Sequence, residues 1–343
     1  MKKRKRNLTR KEKEDRNIVL WWLFFEKLLE NVVAFVMVTD SSGRIVFANR
    51  NYLDSFSFSE KAIMGKNWIT SAVPGPLKAA TRKIFDKIKK KKMLCKFDSP
   101  VQIAKNVEIS ISWTAVPLKE KRSYFYMFVG REGKSSDKRV NIHAATPLKL
   151  NEAYREVIEL FFMASIVNDP GTAKHANRVM AFAVALAKKL KLSKARIERL
   201  KVACLLHDIG KLAVDDKILF KKGKLTKREF DEIKKHPGWG ADVAKLFYFL
   251  RDIIPIMSGH HENYDGSGYP IGIKGKKIPL EARLLCVVDI YEALTADRPY
   301  RKGFTKEEAL IIMEEEKGWK LDPKITDVFL DLVRKNKIKD EDS

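Results

Sequence analysis

From Arg131 to Ala145 (REGKSSDKRVNIHAA) the chain is polar and carries neither helical nor strand periodicity, and the hydrophobic pattern differs on its two sides. Before it, apolar residues alternate as in strands; after it, they recur at helical spacing almost to the end, which predicts helices over 179–190, 197–206, 226–236, 241–256, 280–296, 305–316 and 323–334. One core cannot serve both patterns in a chain of 343 residues, so two domains of different class are expected. The expected fold class is an α+β domain, a five-stranded antiparallel sheet with helices, followed by an all-α helical bundle.

The first domain is read in order. Ala34 to Val38 and Arg44 to Ala48 flank the turn Asp40-Ser41-Ser42-Gly43, which predicts a hairpin. Short helical pieces fill 50 to 90, broken at Gly65, Pro74 and Pro76. Strand character returns at Met93 to Phe97, in the alternating run Val107 to Ala115, and at Tyr124 to Gly130. Two strands, short helices and three strands give a sheet with helices on one side. The run VTDSSGRIVFANRNYLDSFSFS (38 to 59), with Asn49 ending its strand, resembles a PAS domain, and the resemblance extends over roughly 25 to 132. It implies a sensor or dimerisation module. No histidine precedes His143, which argues against a histidine-ligated haem there and leaves the PAS ligand open.

Charge is uneven. Residues 1 to 150 hold 32 basic and 14 acidic side chains, +18, out of a formal total of +24. The first sixteen residues, with nine basic and three acidic groups, read as a solvated arm able to meet an anionic membrane surface. Specific nucleic-acid binding is not expected. Residues 17 to 32 are expected to form a helix rich in Trp21, Trp22, Phe24, Phe25 and Leu28, and a homodimer through this PAS region is the expected use of that surface. Its apolar core, Ile18 to Phe25, is far short of the ~20 residues a spanning helix needs. With Cys95, Cys204 and Cys286 too few and too scattered for a disulfide framework, a cytoplasmic protein is expected. The expected boundaries are 1–16 for the tail, 17–132 for the PAS domain with its helix, 133–149 for the linker and 150–338 for the bundle.

Five of the six histidines, His175, His207, His236, His260 and His261, fall in the bundle beside acidic residues. Imidazoles mixed with carboxylates suit divalent transition ions. His207 and Asp208 adjoin, and neighbours on a helix diverge by about 100°, so both reach one ion only at a helix end, which Gly210 supplies. His260 and His261 open the loop ENYDGSGYP, where Gly266, Gly268 and Pro270 point to close approach of backbone and ligand. Asp289 sits in the apolar helix RLLCVVDIYEAL, where a carboxylate without a cation or donor would be costly. Arg298 and Arg301, in DRPYR, offer guanidinium forks for phosphate.

The blocks HDIGK, KKGKLTKREFDEIKKHP, HHENYDGSGYP and VVDIYEALTADRPYR occur in that order, and over roughly 150 to 340 the chain resembles the HD-GYP family of phosphodiesterases. The resemblance implies hydrolysis of cyclic di-GMP to pGpG or GMP with two divalent ions, Fe or Mn, and control by the PAS domain. It implies that His175, His207, Asp208 and Asp289 hold one ion, and that Asp208, bridging, with His236, His260 and His261 holds the other. Asp208 and Lys211 are the expected catalytic pair, and Lys211, Gly268, Tyr269, Arg298 and Arg301 the expected substrate contacts. Some family members carry a glutamate four residues before the first histidine as a ligand for a third ion; here that place is Gly171. The alternatives are a phosphohydrolase of another cyclic dinucleotide or nucleotide, and a catalytically weak protein that responds to cyclic di-GMP.

Overall fold

A computed structural model of the chain describes residues 29–30, 32, 34–91, 95–104, 107–120, 123–132, 146–147, 158–163, 165, 171–297 and 302–336. The basic tail, most of the helix expected over 17–32, most of the linker, and Arg298 and Arg301 lie outside the described residues. The chain divides into two compact units, Met1–Ala153 and Tyr154–Ser343.

In the first unit, strands β1 (Phe35–Asp40) and β2 (Ile45–Ala48) form the expected hairpin. Asp40 Oδ1 accepts from the amides of Ser42 and Arg44 at 2.8 and 2.9 Å, and Gly43 at φ +80° completes the turn. Helices α1 (Arg50–Ser55), α2 (Glu60–Ile63), α3 (Trp68–Ala72) and α4 (Lys78–Lys91) follow, then β3 (Cys95–Ala104), β4 (Val107–Glu120) and β5 (Ser123–Glu132). A sixth strand, β6 (Thr146–Pro147), pairs with Cys95 and Lys96 at the outer edge of β3, within the stretch expected to be linker. The sheet order is β2-β1-β5-β4-β3-β6, antiparallel throughout. Its buried core is heavily aromatic, including Trp68, Phe85, Phe97, Trp113 and Phe128.

Asn49 organises the start of this unit. Wholly buried, it accepts from the amides of Val36 and Tyr52 and donates to the carbonyls of Leu29, Val32 and Ala34. One side chain therefore caps α1 and fastens the segment before β1.

The second unit is helical: α5 (Gly171–Lys189), α6 (Lys194–Leu206), α7 (Asp216–Leu219), α8 (Lys227–Ile233), α9 (His236–Leu246), α10 (Ile254–Gly259), α11 (Leu280–Thr295), α12 (Lys306–Glu315) and α13 (Pro323–Arg334). At the centre lies α11, whose Leu284, Leu285, Val287, Val288 and Tyr291 are buried. Phe182 of α5, Tyr291 of α11 and Phe329 of α13 meet with centroids 5.2 to 6.2 Å apart, which ties three helices into one core. The single helix expected over 241–256 is instead α9, a 3₁₀ stretch Tyr248–Ile253, and α10. The break falls at Phe247, whose extended backbone (φ −105°, ψ 108°) ends α9, and Pro255 sits in the first turn of α10, where its missing amide costs no helical hydrogen bond.

Candidate metal centre

Three histidines stand at element ends and are held in the same way. His207 caps the C-terminus of α6, His236 opens α9 and His260 caps α10. Each ring Nδ1 donates to a carbonyl three residues back: Cys204 at 2.8 Å, Ile233 at 2.8 Å and Met257 at 2.6 Å. A carbonyl only accepts, so each ring carries its proton on Nδ1 and leaves a bare lone pair on Nε2. The lone pairs of His236 and His260 face one another, Nε2 to Nε2 at 3.4 Å, and His207 Nε2 lies 3.4 Å from His175 Nε2. Bare lone pairs at this separation repel unless a cation lies among them.

Asp208 sits between the two groups. Its Oδ1 is buried, lies 3.2 Å from His236 Nε2 and has no hydrogen-bond partner, and its Oδ2 lies 3.4 Å from His207 Nε2 and 2.6 Å from Lys211 Nζ. Burial works against the charged carboxylate, but Lys211 and His207 outweigh it and hold the group well below the ordinary range. Asp289 Oδ1 is 3.3 Å from His175 Nε2 and 3.9 Å from His207 Nε2. Two ligand sets result, Asp208 with His236, His260 and His261, and His175 with His207 and Asp208, and they share Asp208. The orphaned carboxylate oxygen and the converging lone pairs fit divalent metal ions.

His175 differs from the other histidines. It lies within α5, where its own turn offers no free carbonyl, and its Nδ1 instead meets Glu292 Oε2 at 2.5 Å. Burial lowers its basicity, but the bonds to Asp289 and Glu292 prevail and hold its pKa at about 10. His260 and His261 move the other way. Burial and the neighbouring imidazoles push His260 well below its usual value, and burial drives His261 down to about 3 against the pull of Asp289.

Glycines close the frame. A Cβ on Gly210 would lie 1.9 Å from the carbonyl oxygen of His236, so only glycine lets the 3₁₀ turn Ile209–Ala213 rest against the first turn of α9. A Cβ on Gly268 would lie 2.2 Å from Asn263 N, so the need for glycine there comes from the loop's own backbone. Glu262 shapes the same loop by accepting from the amides of Ile271, Gly272 and Ile273 at 2.8 to 3.2 Å. Tyr269 stands beside the cluster, its ring 4.8 Å from that of His261. The structure thus brings together His175, His207, Asp208, Lys211, His236, His260, His261, Tyr269 and Asp289. Glu292 and Glu262 were not singled out in the sequence, although Glu292 lies three residues after Asp289 in the same apolar helix.

Comparison with known proteins agrees with this architecture. The HD domain family profile matches residues 162–325, and the PAS fold profile matches 23–92. A protein of Xanthomonas campestris named cyclic di-GMP phosphodiesterase response regulator RpfG is 36% identical over 184 residues, 53% of this chain and 49% of that protein. A cyclic di-GMP phosphodiesterase of Thermotoga maritima is 30% identical over 257 residues, 70% of this chain and 68% of that one. A 3'3'-cGAMP-specific phosphodiesterase of Vibrio cholerae is 37% identical over 181 residues, 52% and 39% of the two chains. The chain spans half or less of the length of the first and last of these relatives. With the HD-GYP blocks in order, a shared-aspartate cluster built from them, and a cyclic di-GMP phosphodiesterase aligned over two thirds of its length, the chain belongs to the HD-GYP family, an HD domain preceded by a PAS domain.

Proposed function

We propose that this chain is a metal-dependent phosphodiesterase that hydrolyses cyclic di-GMP to pGpG or GMP under the control of its PAS domain. The observation that carries the reading is the pair of histidine and carboxylate sets joined by Asp208, in a chain whose relatives are named for this activity. His175, His207, Asp208 and Asp289 would hold one ion, and Asp208, His236, His260 and His261 the other, Fe or Mn by the nature of the donors. Divalent ions in such a site supply a water of lowered pKa and positive charge for the phosphate oxygens.

The chain's own groups do the rest. The carbonyl-held imidazoles present their lone pairs without rearrangement, because each tautomer is set by the helix end that carries it. Lys211, 2.6 Å from Asp208, places an ammonium where charge builds on the phosphate in the transition state. Tyr269 flanks the cluster, and Arg298 and Arg301 supply phosphate contacts.

The test is incubation of Mn- or Fe-loaded protein with cyclic di-GMP and chromatographic separation of the products. Release of pGpG or GMP is expected, and a loaded protein that leaves the dinucleotide intact would overturn the reading. A second substrate, 3'3'-cGAMP, belongs in the same assay because a relative at 37% identity is named for it.

A further inference from the structure

Resting on that reading, we propose that Phe230 and Lys234 form a second contact for the substrate beside the metal cluster: an aromatic face for one purine and a cation for the phosphodiester that is not being cleaved. The two residues are four apart, on α8 and its C-terminal cap, and so share one helix face. Lys234 Nζ lies 4.8 Å from the centroid of the Phe230 ring and 5.7 Å from that of Tyr269. Tyr269 in turn lies 4.8 Å from His261. A row of side chains therefore leads outward from the cluster: imidazole, phenol, ammonium, phenyl.

The row is built rather than incidental. Two ring faces hold the ammonium, and its nearest carboxylate, Asp231, is 3.7 Å away at the surface, too long for a direct hydrogen bond. Phe230 is 44% exposed. A capping box between Thr226 and Glu229 sets the start of α8, and Lys221 braces Glu229. Its end leads directly to His236, whose ring is held by the carbonyl of Ile233. Platform and ligand are thus fixed by the same turn of chain.

The chemistry of the substrate asks for such a contact. A cyclic dinucleotide carries two phosphodiesters and two purines, and only one phosphodiester meets the cluster at a time. An exposed phenyl face stacks a base, and an ammonium meets the remaining phosphate as a point charge.

The test compares cyclic di-GMP with bis(p-nitrophenyl) phosphate, which has one phosphodiester and no purine, using the full Mn-loaded chain. Phe230→Ala and Lys234→Gln should each lower the ratio of the two kcat/KM values by about tenfold, mainly through a higher KM for cyclic di-GMP. Bound Mn should match that of the parent, Lys234→Arg and Phe230→Trp should keep the ratio, and the KM of Lys234→Gln should respond less to added salt. An unchanged ratio, or a parallel loss on both substrates with loss of metal, would overturn the inference while leaving the proposed function standing. A parent chain inactive on both substrates, or active on the small diester alone, would overturn the proposed function itself.

Discussion

His175 is the candidate ligand whose orientation depends on a distant residue, and this makes Glu292 its proposed positioning group. The two are 117 residues apart in sequence, and α11 brings Asp289 and Glu292 to opposite nitrogens of the same ring. Glu292→Ala should weaken Mn binding at the His175 side by about 10- to 100-fold and Glu292→Gln by less, read by Mn titration followed by electron paramagnetic resonance. Equal affinity in the alanine variant would reduce Glu292 to packing. The pKa directions make a second prediction for chain stripped of metal. His175 is raised in the folded state, so its stabilising share is complete below about pH 6.5 and is lost as pH rises towards about 10. His260 and His261 are lowered, so the unfolded chain takes up their protons first and stability falls below about pH 6.5. The Tm of the stripped chain should peak near neutral pH, and His175→Asn should lack the alkaline decline; a Tm that climbs from pH 7 to 10 would contradict the assignment. At this scale the clustering of these histidines and aspartates was legible because His-Asp and His-His pairs at helix ends have few other uses. Glu262 and Glu292 were not, since a buried carboxylate shows its purpose only when the fold delivers its donors.

Elements place these residues by their ends more than by their faces. The long helices α5, α6, α11, α12 and α13 were readable from apolar spacing, whereas the 3₁₀ turn after His207 and the restart at Pro255 were not, because short turns carry too few residues to show a period. Strand lengths were underread for a related reason. β3 runs through Pro100 and β4 through Pro117, both outside the stretch where a neighbour on each side demands every amide: β6 reaches only Cys95 and Lys96, and β3 pairs with β4 only as far as Ala115. Gly210→Ala tests the joint between the 3₁₀ turn and α9. Forcing a methyl against the His236 carbonyl should cost about 1 to 3 kcal/mol and, by parting Asp208 from His236, lower the metal content; an unfolding midpoint and Mn count equal to the parent would show that the joint yields freely. In the PAS unit, Asn49→Ala removes the α1 cap and strands buried carbonyls before β1, for a loss of about 3 kcal/mol in chemical denaturation.

At the scale of the whole molecule, a basic half and a metal-binding half share one chain, with +18 of the +24 charge in residues 1 to 150. No helix among the described residues is long and apolar enough to cross a membrane. Within the helical unit, the number of ions per chain is the quantity that joins site to fold. A third ion beside His175 would draw on the position of Gly171, the first residue of α5, which has no side chain to offer. With Asp208 shared, the seven candidate ligands His175, His207, Asp208, His236, His260, His261 and Asp289 would give each of two ions four donors, so Asp208→Ala should remove both and His260→Ala should remove one or both. Elemental analysis of chain loaded anaerobically with Fe or Mn should return two ions, and at a free-ion concentration of about 100 times Kd each should add about 2.7 kcal/mol of stability. That is a rise of roughly 5 to 10 °C in the Tm of a unit of this size for each ion, and it should be absent from Asp208→Ala. A reproducible count near three would overturn the two-ion reading, and an Asp208→Ala chain that keeps its ions and its Tm rise would show that the carboxylate between the two histidine groups is not the bridge.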